Sequence, residues 1–211
     1  MKKIRFAEEG LRSIALLVLA TVSLAIFCTS KIPASIIGVL AALVTWFYRD
    51  PDRAAPDVDG AFLSPADGRV VEICEAEHPF TGPALKVGIF MNVFSVHVNR
   101  APCTGRVDYL EYVPGKKIAA FAPKASEVNE RHLVGLSTPW GPVLMVQIAG
   151  LLARRIVCRI ERGDVLEAGQ RYGMIRLGSR VDIYLPRDVE SRIHIGDKVY
   201  AGLSCLGVMQ G

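Results

Sequence analysis

Two uncharged stretches near the N-terminus place the strongest constraint on how this chain can fold. The first has 18 residues, from Ser13 to Ser30, and the second has 17, from Ile32 to Tyr48. At ~1.5 Å per helical residue they would reach about 27 and 26 Å, close to the ~30 Å thickness of a hydrocarbon core. We therefore predict that residues 1–48 form an apolar helical hairpin that anchors the chain to a membrane.

The charges around these stretches predict the orientation of the hairpin. Four basic residues precede the first stretch and two closely follow the second, whereas only Lys31 lies between them. By the positive-inside tendency, both ends and the rest of the chain lie on the cytoplasmic side of the cell membrane. Helices that lie in the membrane interface are the alternative to spanning helices. A signal peptide is disfavoured, because a second apolar stretch follows at once and no small-residue cleavage site precedes a polar start.

Charge and cysteine content exclude two classes of function. The formal net charge of +4 would favour anionic headgroups, but the sequence has no dense basic stripe with interleaved aromatic residues, so we expect no nucleic-acid partner. The five cysteines are scattered and form no CxxC pair. Reduced thiols in a cytoplasmic domain are expected, and no metal site is expected.

The rest of the chain divides into a linker and a β domain. Residues 49–60 (RDPDRAAPDVDG) are rich in proline and aspartate, which is typical of a linker. In residues 61–211, short runs of β-branched residues alternate with Gly, Pro and Asp turns, and few stretches have helical periodicity. The sequence therefore predicts one mainly β domain after the hairpin and the linker.

Two internal echoes, that is, short strings that recur within the sequence, make the prediction of the fold more specific. The string Gly163–Gly169 (GDVLEAG) recurs 33 residues later as Gly196–Gly202 (GDKVYAG), and Gly68–Val70 recurs as Gly105–Val107 (GRV). Such strings resemble the turn and short strand of biotinyl- and lipoyl-like sandwiches. We predict a compact barrel-sandwich fold with an internal duplication. The alternative is that GD and AG are simply common turn dipeptides.

A glycine–serine bond stands directly before an alternating strand pattern. The segment from Leu177 to Pro186 reads LGSRVDIYLP. Glycine has no Cβ, so Gly178 can take a strained backbone conformation that leaves its carbonyl open to attack. The Ser179 hydroxyl can turn back onto that carbonyl. Taken alone, however, a Gly-Ser pair is typical of an ordinary turn into a strand.

Two further motifs supply a base and an acid. His97 lies in the run FMNVFSVHVNRAP, where strand alternation would place its side chain on the same face as Ser95 and Asn99. Asp67 lies in SPADGRV. Taken alone, a strand histidine is typical of a structural residue, and an Asp-Gly pair is typical of a hairpin turn.

Together, Asp67, His97 and Ser179 provide an acid, a base and a nucleophile. A serine hydroxyl needs a base to take its proton, and a neutral imidazole whose tautomer is fixed by a carboxylate can do so near neutral pH. Such sets are recognised by geometry and not by chain order. One alternative is a membrane-tethered serine hydrolase that uses the same three residues for turnover. Another is a non-catalytic β-sandwich carrier, although the sequence has no MKM-like lysine hairpin.

Five motifs in order resemble the phosphatidylserine decarboxylase family. They are SPADG, FMNVFSVHVNRAP, KASEVNERH, QIAGLLARRIV and LGSR, and RDPDR after the second apolar stretch is also similar. The resemblance covers essentially the whole chain. The short length is similar to the compact branch of the family, which includes archaeal-type enzymes.

The resemblance implies self-cleavage followed by decarboxylation. In that family the matching residues imply that His97, oriented by Asp67, deprotonates Ser179, whose oxygen attacks the Gly178 carbonyl and cuts the chain between residues 178 and 179. Ser179 would become a pyruvoyl cofactor, without a metal, and form a Schiff base with phosphatidylserine. The products would be phosphatidylethanolamine and carbon dioxide. The chains 1–178 and 179–211 are expected to remain a heterodimer, which could assemble further.

The chain departs from the family pattern at one position, and the family motifs do not indicate which residues bind the lipid phosphate. Many longer members have a second histidine three residues before the one matching His97, assigned to decarboxylation, and this chain has Phe94 there. Either His97 serves both stages or another group supplies the proton. Four basic residues are candidates for binding the lipid phosphate, with exposed solvated charges as the alternative for each: Lys116, Lys117, Arg154 and Arg155.

Overall fold

The structure is a computed structural model that divides the chain into two compact units. The units are Met1–Asp52 and Arg53–Gly211. The residues that the structure describes are 4–116, 118–119, 125–151, 155–176 and 178–209. Of the sequence-predicted candidates, Lys117 and Arg154 lie outside the described residues.

The first unit is a pair of apolar helices closed by a short ribbon. Helix α1 (Glu8–Phe27) packs against helix α2 (Ile32–Phe47). Strand β1 (Ile4–Phe6) pairs antiparallel with strand β2 (Arg49–Pro51). The predicted N-terminal helical hairpin is confirmed, and the first three residues of the predicted linker form strand β2 before the second unit begins.

The apolar side chains of α1 are largely exposed. Leu16, Leu19, Ile26 and Phe27 keep between 64% and 84% of their surface accessible. The helix has 20 residues and a mean hydropathy of 2.1, so it is long and apolar enough to cross a membrane by length and composition. With 16 residues, α2 is shorter. Exposed apolar surface on this scale indicates a membrane or protein partner for the unit.

Within its described residues, the second unit contains three antiparallel sheets and one short helix. Its elements, in chain order, are β3 (Ala61–Leu63), β4 (Gly68–His78), β5 (Gly82–Met91), β6 (Val98–Arg100), β7 (Gly105–Val113), α3 (Ala125–Val128), β8 (Arg131–Thr138), β9 (Gly141–Ile148), β10 (Ile156–Cys158), β11 (Val165–Leu166), β12 (Arg171–Ile175), β13 (Ser179–Pro186), β14 (Glu190–Ser191), β15 (Lys198–Val199) and β16 (Cys205–Val208). The largest sheet has eight strands in the order β11-β7-β8-β9-β13-β5-β4-β15 and curls into a half-barrel. The smaller sheets have the orders β10-β12-β6 and β14-β16-β3.

Alternation along β13 shows how the core is organised. Val181, Ile183 and Leu185 are fully buried in the main hydrophobic core, which the two smaller sheets also line. The residues that alternate with them, Arg180 and Asp182, face the other side of the sheet because successive side chains on a strand point in opposite directions. The prediction of a mainly β barrel-sandwich is confirmed.

The two sequence echoes occupy equivalent places in the large sheet. Strand β15 pairs with the start of β4 through Val199 and Gly68, and β11 pairs with the start of β7 through Leu166 and Gly105. The backbone bond from Val70 N–H to the Asp197 carbonyl (2.9 Å) is repeated from Val107 to Asp164 (2.8 Å). This is the arrangement that an internal duplication predicts.

Candidate active site

The glycine–serine bond lies where the chain enters the centre of the large sheet. Gly178 has a φ of +59°, and a Cβ added to it would meet nothing within 4 Å, so the backbone angle and not space requires glycine. Ser179 is the first residue of β13, is fully buried and pairs with Met91 at the end of β5. Its hydroxyl donates to the Met91 Sδ at 3.3 Å. A thioether is a weak acceptor, so this hydroxyl is easily released.

His97 lies beside the segment that leads toward Gly178 and Ser179. Its carbonyl accepts a hydrogen bond from the Ile175 N–H at 3.3 Å, three residues before Gly178. The His97 ring is buried, and its Nδ1 lies 2.9 Å from the Ser95 carbonyl oxygen. Because a carbonyl oxygen only accepts, this contact places the hydrogen on Nδ1 and leaves the lone pair on Nε2. The ring is therefore held in the tautomer that a general base needs.

The strand that was expected to run through His97 starts one residue later. Strand β6 begins at Val98, and Ser95 lies in a turn whose N–H bonds to the Asn92 carbonyl at 3.0 Å. The Asn92 side chain also accepts the Phe94 N–H at 2.9 Å, which is an Asx-type turn that ends β5. The turn lets the Ser95 carbonyl reach the His97 ring, which a continuous strand would not allow.

The Asp67 carboxylate is held by an arginine and a backbone amide. Arg53 donates from Nη1 to Oδ1 at 2.5 Å and from Nη2 to Oδ2 at 2.9 Å, and the Ala201 N–H donates to Oδ1 at 2.8 Å. Among the described residues these are the hydrogen bonds of the carboxylate, and none joins it to His97. The Ser95 carbonyl, and not Asp67, contacts the His97 Nδ1. The predicted orientation of His97 by Asp67 therefore needs an indirect route.

Such a route runs through the loop that carries Asp67. The Pro65 carbonyl accepts the Arg100 backbone N–H at 3.0 Å and the Asn99 Nδ2 at 3.4 Å. Residues 64–68 therefore bind the strand that follows His97. The same loop binds the turn at residues 200–204 through Asp67, so it connects two of the three predicted site residues to one backbone framework.

Sequence reasoning missed two buried amide side chains near Ser179. Gln147 pairs across strands with Val181, and its Nε2 donates to the Asn99 Oδ1 at 2.8 Å. The Asn99 Nδ2 also lies 4.0 Å from the Met91 Sδ, the atom that receives the Ser179 hydroxyl. Both amides are fully buried, and within the described part of the chain the Gln147 Oε1 has no partner. The available signal for Gln147 was a single amide within the apolar run VLMVQIA, whereas Asn99 lies among the polar residues of VHVNRA, which gives no such signal.

These amides are linked to Ser179 through the sulfur of Met91, and they suit a small carbonyl group formed at that position. Amide N–H groups can donate to its oxygen, and the surrounding core excludes water. The described residues contain no group of three or more His, Cys, Asp or Glu side chains that could hold a metal ion.

Comparison with known proteins identifies the family. A model of the phosphatidylserine decarboxylase family matches residues 40–207. The chain belongs to this family. It is similar to proteins called phosphatidylserine decarboxylase proenzyme: 48% identical to one from Symbiobacterium thermophilum, over 98% of this chain and 97% of the relative. It is 46% identical to one from Oleidesulfovibrio alaskensis, over 94% and 91% of the two chains, and 44% identical to one from Carboxydothermus hydrogenoformans, over 83% and 84%.

In this member of the phosphatidylserine decarboxylase family, four buried or half-buried charged side chains form a cluster on strands β13, β4 and β5. The cluster begins at the residue after Ser179. Arg180 bonds to Asp182 from Nε at 2.5 Å and also to Glu72, while Lys86 lies 3.3 Å from both carboxylates. A Cβ on Gly88 would stand 2.3 Å from the Arg180 Nη2, so glycine makes room for the guanidinium. Burial alone would raise the pKa of Glu72, but Arg180 and Lys86 outweigh it and lower that pKa.

The described candidates for binding lipid phosphate lie at the surface. Arg155 is exposed, and its carbonyl accepts the Arg176 N–H at 3.2 Å, which places it beside a residue two positions before Gly178. Lys116 is exposed, and its backbone pairs with that of Asn129. Phe94, where longer members of the family have a histidine, is 69% exposed. Of these residues, Arg155 is linked most directly to the cleavage segment.

Proposed function

We propose that this chain is a phosphatidylserine decarboxylase proenzyme that cuts itself between Gly178 and Ser179. The observation that carries the proposal is a fully buried serine next to a glycine with a φ of +59°, with a histidine in the base tautomer beside the segment. Relatives that bear the proenzyme name are up to 48% identical over nearly the whole chain. The site and the relatives support the same activity.

Self-cleavage can be written with the residues of this chain. The His97 Nε2 takes the Ser179 hydroxyl proton, the Ser179 Oγ attacks the Gly178 carbonyl carbon, and the C–N bond breaks, so that the amide becomes an ester. A base removes the Ser179 Cα proton, the Cβ–O bond breaks, and Gly178 leaves as a carboxylate. Water hydrolyses the remaining dehydroalanine to a pyruvoyl group and releases ammonia. Asp67 acts in this scheme by fixing the loop beside the strand of His97.

The pyruvoyl group supplies the electron sink that loss of carbon dioxide requires. The residues of this chain position it and the lipid. Asn99 and Gln147 provide hydrogen-bonding groups within the core, and the His97 imidazole is proposed to move the proton. Lys116, Lys117, Arg154 and Arg155 are proposed to bind the lipid phosphate. Helix α1 is proposed to hold the chain at the cytoplasmic face of the cell membrane, where the headgroup is available.

The purified protein should consist of two chains, one with residues 1–178 and one with residues 179–211. The small chain, about a sixth of the total, should resist N-terminal sequencing because a pyruvoyl group has no amine. Cyanoborohydride should attach phosphatidylserine to that chain. A denaturing gel shows whether the protein is one chain or two, and intact-mass analysis gives the mass of each chain.

Variants give the controls for this experiment. Ser179→Ala should remove both cleavage and lipid attachment, and His97→Ala should accumulate uncut precursor. A serine hydrolase would remain one uncut chain that reacts with fluorophosphonate, and a carrier would show neither cleavage nor attachment. An intact single chain that still decarboxylates phosphatidylserine would sink the proposed mechanism.

A further inference from the structure

Arg53 makes three hydrogen bonds at a buried position that the sequence motifs do not explain. Besides its paired bonds to Asp67, its Nη1 donates to the Ala201 carbonyl at 2.8 Å. The side chains of Arg53 and Asp67 are each only 9% exposed. Because the Ala201 N–H also donates to Asp67, the three residues close a ring of hydrogen bonds.

The internal duplication supplies a comparison for this ring within the same molecule. Residues 64–70 (SPADGRV) and residues 101–107 (APCTGRV) align without a gap. Their backbone bonds match: the Gly202 N–H donates to the Ser64 carbonyl at 2.8 Å, and the Gly169 N–H donates to the Ala101 carbonyl at 2.9 Å. The two loops are therefore the same structural unit used twice.

Residues 64–70 and residues 101–107 differ at their fourth position, where the side chain bonds to the backbone of a turn. In residues 101–107 the Thr104 hydroxyl accepts the Ala168 N–H at 3.3 Å. At the equivalent place in residues 64–70, the Asp67 carboxylate accepts the Ala201 N–H. A neutral hydroxyl is therefore enough to hold this turn. A buried carboxylate is costly to desolvate unless a cation is paired with it, which Arg53 provides. Thr104 is exposed and Asp67 is buried, so the charge pair is found at the buried one of the two equivalent turns.

We propose that Arg53 is a positioning residue for self-cleavage. It fixes the Asp67 carboxylate, and through it the loop whose Pro65 carbonyl binds Asn99 and Arg100, next to His97. Arg53 also joins the two products, since Asp67 belongs to chain 1–178 and Ala201 to chain 179–211. This inference rests on the proposed cleavage at Ser179.

The test measures the rate of cleavage of freshly synthesised full-length chain, with the fold checked by circular dichroism. Arg53→Ala should cleave at least tenfold more slowly with a native spectrum, and Arg53→Lys should recover part of the rate. Guanidinium ion, at concentrations far below those that unfold proteins, should restore cleavage in Arg53→Ala. Thr104→Ala is the matched control, because it removes the equivalent turn bond in the duplicated loop at residues 101–107, and it should cleave like the wild type.

A second variant separates charge from fold. Asp67→Thr copies the residue that holds the duplicated turn, so it should fold but remain largely uncut. The inference is overturned if Arg53→Ala or Asp67→Thr cleaves at the wild-type rate, or if Arg53→Ala loses its β spectrum, which would make Arg53 a residue of the fold. A wild-type chain that is never cut would overturn the proposed function itself, and this inference with it.

Discussion

At the scale of single residues, the proposed cleavage site joins two residues with opposite backbone requirements. Gly178 has a φ of +59°, a region that costs an L-residue about 1–2 kcal/mol. Ser179 begins a regular strand and is fully buried. The backbone therefore turns sharply at the carbonyl that the next side chain must reach, and the turn is fixed before any chemistry begins.

Gly178→Ala should fold and yet cleave at least tenfold more slowly, because an alanine favours negative φ and would rotate the carbonyl away from Ser179. Gly82→Ala is a close control, since Gly82 has a φ of +65° and open space around its Cβ, but lies in the hairpin between β4 and β5. Both variants should lose about 1 kcal/mol of stability in denaturant unfolding. Equal cleavage rates in the two variants would contradict a role for the Gly178 conformation.

The residue types of the site could be predicted from the sequence, but several of their contacts could not. Glycine before serine, and a histidine and an aspartate in separate motifs, carry chemical information in their side chains. The Ser95 carbonyl that fixes the His97 tautomer is a backbone group, which every residue has, so no residue type announces it. Likewise, Arg53 lies in a segment whose composition is typical of a linker, and only the folded chain places it against Asp67.

At the scale of elements, β13 carries the site on one face and a charge cluster on the other. Ser179 faces the core, while Arg180 and Asp182 face Glu72 on β4 and Lys86 on β5. Three neighbouring strands are thus tied together by ion pairs next to the scissile bond. Pairs of this kind between partly buried groups resist sliding of one strand along another, because a shift would leave a buried charge unpaired.

Glu72→Gln should lower the free energy of unfolding by roughly 1 kcal/mol at neutral pH, a value reduced by the partial exposure of the side chain. The pKa of Glu72 is lowered in the folded state, so its contribution is present above the unfolded pKa and is lost as the pH falls through the folded one. The variant and the wild type should therefore converge in acid.

Glu75→Gln is the control on the same strand, because the Glu75 side chain is 84% exposed and lies 4.0 Å from Arg187. Denaturant melts of the three proteins at several pH values make the comparison. A Glu72→Gln deficit that persists unchanged in acid would show that the carboxylate charge is not its cause.

Strand positions were predictable where an alternating run follows a turn, as in the segment LGSRVDIYLP that contains β13. By contrast, the prediction that a strand runs through His97 was wrong. The Asn92 side chain bonds to the backbone that follows it and ends the preceding strand early. Such local competition between side chain and ladder depends on geometry that alternation does not encode.

At the scale of the whole molecule, the apolar helices and the β unit have separate compact structures, and the boundary falls between Asp52 and Arg53. Deletion of residues 1–48 should leave a chain that folds and cuts itself, because Arg53 and every described group of the site are retained. It should also remain in the supernatant when membranes are pelleted in high salt. Pelleting of the truncated chain under those conditions would contradict an anchoring role for α1 and α2.

The central place of β13 has a consequence for how the protein can be refolded. Its neighbours on both sides, β9 and β5, belong to residues 1–178, so cleavage leaves the middle strand of the large sheet on a separate polypeptide. An uncut chain folds in a first-order reaction whose midpoint does not depend on concentration. The cut pair must meet in solution before the sheet can close, so its recovery after denaturation becomes second-order and its apparent stability falls on dilution.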